Sequence, residues 1–196
     1  ARGEQPVSFS RVRSPERGGR IFPILSAMSS PSAGEKVLAR ALKERVFERA
    51  YYFHGEDDFR KEEAVRHLVY AAMDPATRDF NLEIRRGGEV DARTLASLLA
   101  TPPMMADRRV LVVRDAGALK KDARQALERY LDDPAPDCTV LVVSPAGDKA
   151  DKAFEARATT VAFTPLTGDK VVRWIEKHAR NAHGAEITPE AAALLM

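Results

Sequence analysis

The chain has 196 residues, 44% of them apolar, and its charges nearly balance at a net +2. This length suits one large domain or one and a half ordinary ones, and the scattered charge is typical of a soluble globular protein. Apolar runs all stay well short of the roughly 20 residues of a membrane span. The single cysteine, Cys138, excludes an internal disulfide and fits a reducing compartment.

The two ends of the chain differ from its middle. Residues 1–27 are rich in Arg, Gly, Ser and Pro, and their net charge of +3 leaves −1 for the remainder, so we predict that they are disordered. Met28 suits a natural start, which makes this tail either translated upstream sequence or an arginine-rich arm for nucleic acid. Thr188 and Pro189 begin a helix with few residues left, so we expect the chain to be a fragment of a longer protein.

Apolar periodicity predicts alternating helices and strands along most of the chain. In order, we expect a helix over 35–49, a strand over 50–53, a helix from 57 or 58 to 73, a strand over 81–85, a helix over 91–100, a strand over 110–113, a helix over 120–131, a strand over 139–143, a weak helix over 149–158, a strand over 161–163 and a helix over 167–183. This alternation indicates an α/β fold with a parallel sheet and right-handed crossovers. After Pro165 the pattern is purely helical, so a second module is expected there, with Trp174 in its core.

The stretch after the first strand has the layout of a phosphate-binding loop. A working loop reads G-x-x-x-x-G-K-[ST], in which backbone N–H groups surround the phosphates and the lysine reaches the outer ones. Counting from Gly55, the second glycine, the lysine and the Mg²⁺-binding hydroxyl fall on Arg60, Lys61 and Glu62. Arg60 would crowd the phosphates and Glu62 would repel them, which predicts a scaffold that does not hydrolyse nucleotide. The alternative is a plain turn at Gly55 with Lys61 as a solvated helix residue.

A second catalytic element is also altered. An ATPase with a phosphate-binding loop also needs a carboxylate pair after a central strand to hold Mg²⁺. Here Arg114 and Asp115 follow the strand over 110–113, and Arg114 would repel the metal. The four histidines and Cys138 lack metal-ligand spacing, so we predict no metal site. No nucleophile lies in a strand-turn-helix elbow, which argues against a hydrolase and leaves no candidate catalytic residue.

Several stretches, in this order, resemble the delta subunit of bacterial DNA polymerase III, a clamp-loader component. They are YYFHGED at 51–57, LLATPPMMADRRVLVVR at 98–114, LERYLDDP at 127–134, FTPL at 163–166, and then WI at 174–175 and GAEIT at 184–188. The resemblance covers about residues 34–196. It implies an AAA+-like, P-loop-type α/β domain over 28–164 and the start of a helical lid over 165–196, with the C-terminal collar missing.

The resemblance also implies a site for the sliding clamp. In the family, two bulky residues after a proline form a wedge that docks in an apolar pocket of the clamp and loosens its ring interface. The matching residues are Met104 and Met105, presented by Pro103, and Arg108 and Arg109 would add contacts at the rim. Methionine adapts to irregular pockets, so the role survives the absence of the commoner Leu-Phe or Phe-Phe pair. The alternative is that both methionines are core residues.

The implied role is non-catalytic and needs no cofactor. The implied partners are the sliding clamp (beta subunit), the ATPase subunits gamma or tau, delta-prime and, through the complex, primed DNA, in a cytoplasmic replisome at the nucleoid without membrane contact. ATP hydrolysis would belong to the partners, and DNA synthesis to the holoenzyme. Two rivals stay open on the residues: a P-loop ATPase or nucleotide kinase with a divergent loop, and a nucleic-acid-binding module that uses residues 1–27.

Overall fold

The computed structural model describes residues 32–195, so the expectations for residues 1–27 and Met28 lie outside the described residues. The helices and strands are α1 (Ala33–Glu44), β1 (Ala50–His54), α2 (Asp58–Ala72), α3 (Arg78–Asn81), β2 (Leu82–Arg86), α4 (Ala92–Ala100), β3 (Arg109–Arg114), α5 (Lys121–Asp132), β4 (Cys138–Val143), α6 (Lys152–Glu155), β5 (Thr159–Ala162), α7 (Asp169–His178) and α8 (Pro189–Ala193). A 3-10 turn, Ala116–Ala118, follows β3, and a π-helical turn, Ala179–His183, continues α7.

The five strands form one parallel sheet in the order β2-β3-β4-β1-β5. β4 lies at the centre, where Val140 is opposite Leu111 of β3 on one side and Ala50 of β1 on the other. Every residue of β4 is buried, as expected for an apolar strand covered on both faces. The predicted α/β fold with a parallel sheet is therefore confirmed.

Helices cover both faces of this sheet. Successive residues of a strand point to opposite faces, so Tyr51 and Phe53 pack with α1 and α2, whereas Tyr52 packs with α4 and α5. Because all strands run in the same direction, the loops before them meet at the amino edge of the sheet and the turns after them meet at the carboxyl edge. The two candidate sites lie at these opposite edges.

Three predicted helices differ from the expectation in length or in type. α1 ends at Glu44 because Arg45 takes a left-handed conformation, with φ 56°, and Val46 beyond it is exposed rather than on an apolar face. The helix expected over 167–183 gives way to the π-helical turn and ends at Gly184, whose φ is 64°. The weak helix expected over 149–158 is a single turn, α6.

The segment after Pro165 contains helices α7 and α8, as the pattern predicted. Trp174 is only partly buried, so its expected place in a core is wrong. Its ring stacks on His178 with centroids 4.7 Å apart and meets Phe59 of α2 edge-on at 5.5 Å. Trp174 therefore joins the helical segment to α2. The exact domain boundary at 164/165 stays a prediction.

Candidate functional site

The turn between β1 and α2 can be built only with glycine. Gly55 has φ 113°, and a Cβ there would lie 2.4 Å from the carbonyl oxygen of Phe163. Asp57 then caps α2 by accepting a hydrogen bond from the backbone N–H of Arg60 at 3.0 Å. The strand-turn-helix layout of a phosphate loop is therefore present at the carboxyl edge.

Lys61 is held by this turn. Its side chain is 1% exposed, its Nζ donates to the carbonyl oxygen of Gly55 at 2.8 Å, and the same Nζ lies 2.7 Å from the Asp58 carboxylate. The expectation of a solvated lysine is therefore wrong. In a working loop the lysine is directed toward a phosphate, whereas the Lys61 ammonium binds the backbone of the turn.

Arg60 stands at the position of the second glycine and is 2% exposed. Its Nη2 pairs with Glu35 of α1 at 2.7 Å, and its Nη1 donates to the carbonyl oxygen of Thr164 at 3.1 Å. The planar guanidinium can serve both partners at once because its N–H groups point in fixed, separate directions. Arg60 thus ties α1 and α2 to the segment that leads into the helical module.

Glu62 and Arg114 are partners in one ion pair. The Arg114 guanidinium donates to both carboxylate oxygens of Glu62, with Nη2 2.7 Å from Oε2. The hydrogen bonds to Glu62 raise the pKa of Arg114 above its ordinary value. The positions of the Mg²⁺-binding hydroxyl and the strand-end carboxylate are therefore joined by a bidentate salt bridge. Within residues 32–195, no group of three or more His, Cys, Asp or Glu side chains is arranged to hold a metal ion.

At the amino edge, the loop between α4 and β3 presents Met104 and Met105 to solvent. Their exposed fractions are 55% and 87%, so the alternative that both are core residues is wrong. Pro103, partly buried, precedes them and fixes its own φ. Met105 has φ 52°, a left-handed conformation that is uncommon for a residue other than glycine. Two large apolar side chains therefore project from a tightly turned segment.

Asn81, which ends α3, binds this loop. Its Nδ2 donates to the carbonyl oxygen of Met104 at 2.8 Å, and its Oδ1 accepts from the N–H of Met104 at 2.7 Å. Sequence reasoning missed Asn81, because nothing in a lone asparagine before a strand indicates a partner 23 positions along the chain. Asn81 lies between the exposed Phe80 and β2. Only its exposure of 1%, which the structure shows, indicates that its polar side chain must have partners inside the protein.

The two arginines after the loop support it from within. Arg109 is 4% exposed and donates from Nη1 to the carbonyl oxygen of Thr101 at 3.1 Å, so the expected contact at a rim does not fit its burial. Arg108 is partly buried and donates from Nη1 to the hydroxyl of Thr139 at 3.0 Å. The Thr139 hydroxyl in turn donates to the carbonyl oxygen of Glu48. Both guanidinium groups therefore bind the protein's own polar groups.

The family profile described as "DNA polymerase III, delta subunit" matches residues 51–164, more than half of the chain. The chain belongs to the delta-subunit family of DNA polymerase III. The matched range contains both edges described above, including Gly55 and the loop of Met104 and Met105. The resemblance predicted from the sequence is confirmed.

Individual relatives agree with this assignment. The DNA polymerase III subunit delta of Bacillus subtilis (strain 168) is 26% identical over 114 residues, which are 54% of this chain and 33% of that protein. The solved DNA clamp loader delta protein of Bacillus subtilis has a TM-score of 0.64 at 24% identity, over 82% of this chain and 51% of that one. The chain thus spans about half, or less, of the length of these relatives.

More distant structures share the fold. A DNA polymerase III gamma subunit-related protein of Thermotoga maritima gives a TM-score of 0.53 at 18% identity, over 83% of this chain and 58% of that one. The RuvB Holliday junction branch migration motor of the same organism gives 0.55 at 16% identity, over 83% and 55%. The α/β domain is therefore AAA+-like, as predicted. Among residues 32–195, no helix is long and apolar enough to span a membrane.

A groove of about 660 Å³ between α4 and α5 adjoins the methionine loop of this delta-family chain. Leu99, Pro102, Tyr130 and Cys138 contribute to its lining. Burial raises the pKa of the Cys138 thiol, which disfavours the thiolate that a nucleophile needs. Cys138 therefore has the character of a packing residue.

Proposed function

We propose that this chain acts as the clamp-binding delta subunit of a clamp loader, and that it opens the sliding clamp ring without hydrolysing ATP itself. The observation that carries the proposal is the exposed pair Met104 and Met105 on a loop whose backbone is bound from inside the protein. Two adjacent large apolar side chains on a loop with a fixed backbone are suited to act as anchors in a partner's apolar pocket.

The energetics of this pair suit a specific contact. Because Met104 is 55% exposed and Met105 87%, burying what remains exposed of both side chains supplies ~2–4 kcal/mol before the costs of association. Asn81 and Arg109 hold the loop at Met104 and Thr101, so little backbone freedom is left to lose on docking. The flexible methionine side chains adapt to the shape of the pocket they enter.

The carboxyl edge supports a non-catalytic role. The Lys61 ammonium is bound by Gly55 and Asp58, and Glu62 and Arg114 neutralise each other where Mg²⁺ would lie. These contacts argue against the rival P-loop ATPase or nucleotide kinase. In the proposed assembly, gamma or tau subunits hydrolyse ATP, delta-prime completes the loader, and primed DNA is reached through the complex.

The test is binding of the 196-residue chain to the purified sliding clamp of the same organism, measured by calorimetry. We expect micromolar or tighter affinity, reduced roughly 100-fold or more by Met104→Ala with Met105→Ala, as loss of about 3 kcal/mol implies. The matched control is Leu194→Ala with Leu195→Ala, which truncates a second adjacent pair exposed to 88% and 67%. Equal losses in both double variants, or no binding by the folded wild type, would overturn the proposal.

A further inference from the structure

The Asn81 side chain pairs with the backbone of Met104 as a neighbouring strand would. A side-chain amide carries one carbonyl acceptor and an NH₂ donor, the same groups that a peptide unit offers. Asn81 uses both on one residue: Nδ2 lies 2.8 Å from the carbonyl oxygen of Met104, and Oδ1 lies 2.7 Å from its nitrogen. One side chain thus satisfies both backbone polar groups of Met104.

The Asn81 side chain is also bound to the start of its own helix, α3. Asn81 is 1% exposed, and Nδ2 also donates to the carbonyl oxygen of Thr77 at 2.9 Å, one turn earlier in the chain. The three bonds form in a place that water barely reaches, so removing them would leave buried donors and acceptors without partners. The connection between α3 and the methionine loop is therefore rigid.

The connection between Asn81 and Met104 also restricts the backbone of the next residue, Met105. A non-glycine residue keeps a left-handed backbone, here φ 52°, only when its surroundings hold it there. The neighbouring backbone that is held is that of Met104. We infer that Asn81 is a positioning residue for the clamp-binding pair: it fixes the backbone that presents Met104 and Met105. The inference rests on the proposed function, because it takes Met104 and Met105 as the clamp-binding pair. Asn81 itself is assigned no contact with the clamp.

Asn81→Leu and Asn81→Asp separate the parts of this role. Leucine has a similar size and removes all three bonds. Aspartate keeps the acceptor for the Met104 N–H but loses the donor. For Asn81→Leu we expect the Met104 amide to exchange hydrogen at least about tenfold faster and the clamp affinity to fall about tenfold, because a loop that is no longer preorganised must be ordered on binding. Asn81→Asp should fall between this variant and the wild type in both measurements.

A double-mutant cycle excludes a merely structural effect. If Asn81 acts through the two methionines, Asn81→Leu should not weaken binding further in the Met104→Ala, Met105→Ala background. An additional loss of the same size in that background would overturn the inference. If Asn81→Leu does not unfold cooperatively, Asn81→Asp is carried through the same cycle.

The two proposals fail in different ways. Unchanged Met104 exchange and unchanged clamp affinity in folded Asn81 variants overturn the inference while the proposed function stands. A folded wild type that does not bind the clamp overturns the proposed function, and hydrogen exchange at Met104 then still decides whether Asn81 holds the loop.

Discussion

The two edges of the sheet differ in what their polar side chains leave exposed. At the carboxyl edge, polar side chains bind the turn or one another, as Lys61 does with Gly55 and Glu62 does with Arg114. At the amino edge, the Asn81 side chain binds backbone, and two apolar side chains are left exposed. The first edge pairs its own charged side chains, whereas the second leaves Met104 and Met105 exposed to solvent. This difference is why we propose that the amino edge, rather than the carboxyl edge, meets a partner.

The largest expected effect comes from the buried pair at the carboxyl edge. Arg60→Leu leaves the Glu35 carboxylate buried without its partner, so we expect the free energy of unfolding to fall by about 3–5 kcal/mol in urea denaturation. Arg40→Leu is the control, because it breaks an exposed pair with Glu44 on α1 and should cost less than about 1 kcal/mol. Similar losses in both variants would mean that the buried Arg60–Glu35 pair does not stabilise the carboxyl edge more than an exposed pair stabilises α1.

A glycine substitution sharpens the same comparison. In Gly55→Ala, the Cβ would meet the carbonyl oxygen of Phe163 at 2.4 Å in a left-handed turn, and we expect a loss of about 2–4 kcal/mol. Gly147→Ala has φ 86° but meets no described atom within 4 Å, so only the backbone strain of about 1–2 kcal/mol applies. Because both changes lie away from the methionine loop, the surviving folded protein should bind the clamp as the wild type does.

The smallest expected effect is a pH dependence where α7 meets α2. Burial lowers the pKa of His178 below its usual value, with smaller effects from His183 and Arg66, and burial likewise lowers the pKa of His67. The unfolded chain therefore binds more protons below about pH 6.5, so stability falls as the pH drops through that value and is regained above it. Trp174, the one tryptophan, stacks on His178, so its fluorescence can follow urea denaturation, and we expect a lower free energy of unfolding at pH 5 than at pH 7.

The matched control for this dependence is His178→Gln, which removes the titrating ring. We expect the loss of unfolding free energy between pH 7 and pH 5, the range on either side of the unperturbed histidine pKa, to be smaller in the variant. A loss of equal size in the variant would assign the dependence to another group, such as His67.

Much of the fold follows from local pattern. The continuous apolar runs of β3 and β4 are typical of central strands, and Pro102, which follows the C-cap Thr101, favours a helix end there regardless of tertiary structure. For Met104 and Met105 the residues alone left a core position open, and it was the family resemblance that favoured exposure.

The contacts that define the two edges were not predictable, because they join residues far apart in sequence. Glu62 and Arg114 looked like two separate changes, yet they form one salt bridge across 52 positions. Arg108 and Arg109 are equivalent in sequence, but only Arg109 lies at the first position of the buried strand and is fully covered. Tertiary packing, which local pattern does not contain, decides both cases.

We propose above all that the methionine loop at the amino edge binds the clamp and that the carboxyl edge binds no nucleotide. The most direct test is a calorimetric titration of the sliding clamp into the 196-residue chain, with and without saturating ATP and Mg²⁺. We predict the same clamp affinity in both titrations, and no heat of binding when ATP and Mg²⁺ are titrated into the chain alone. A clamp affinity that changes with ATP, or micromolar ATP binding by the chain alone, would contradict the account.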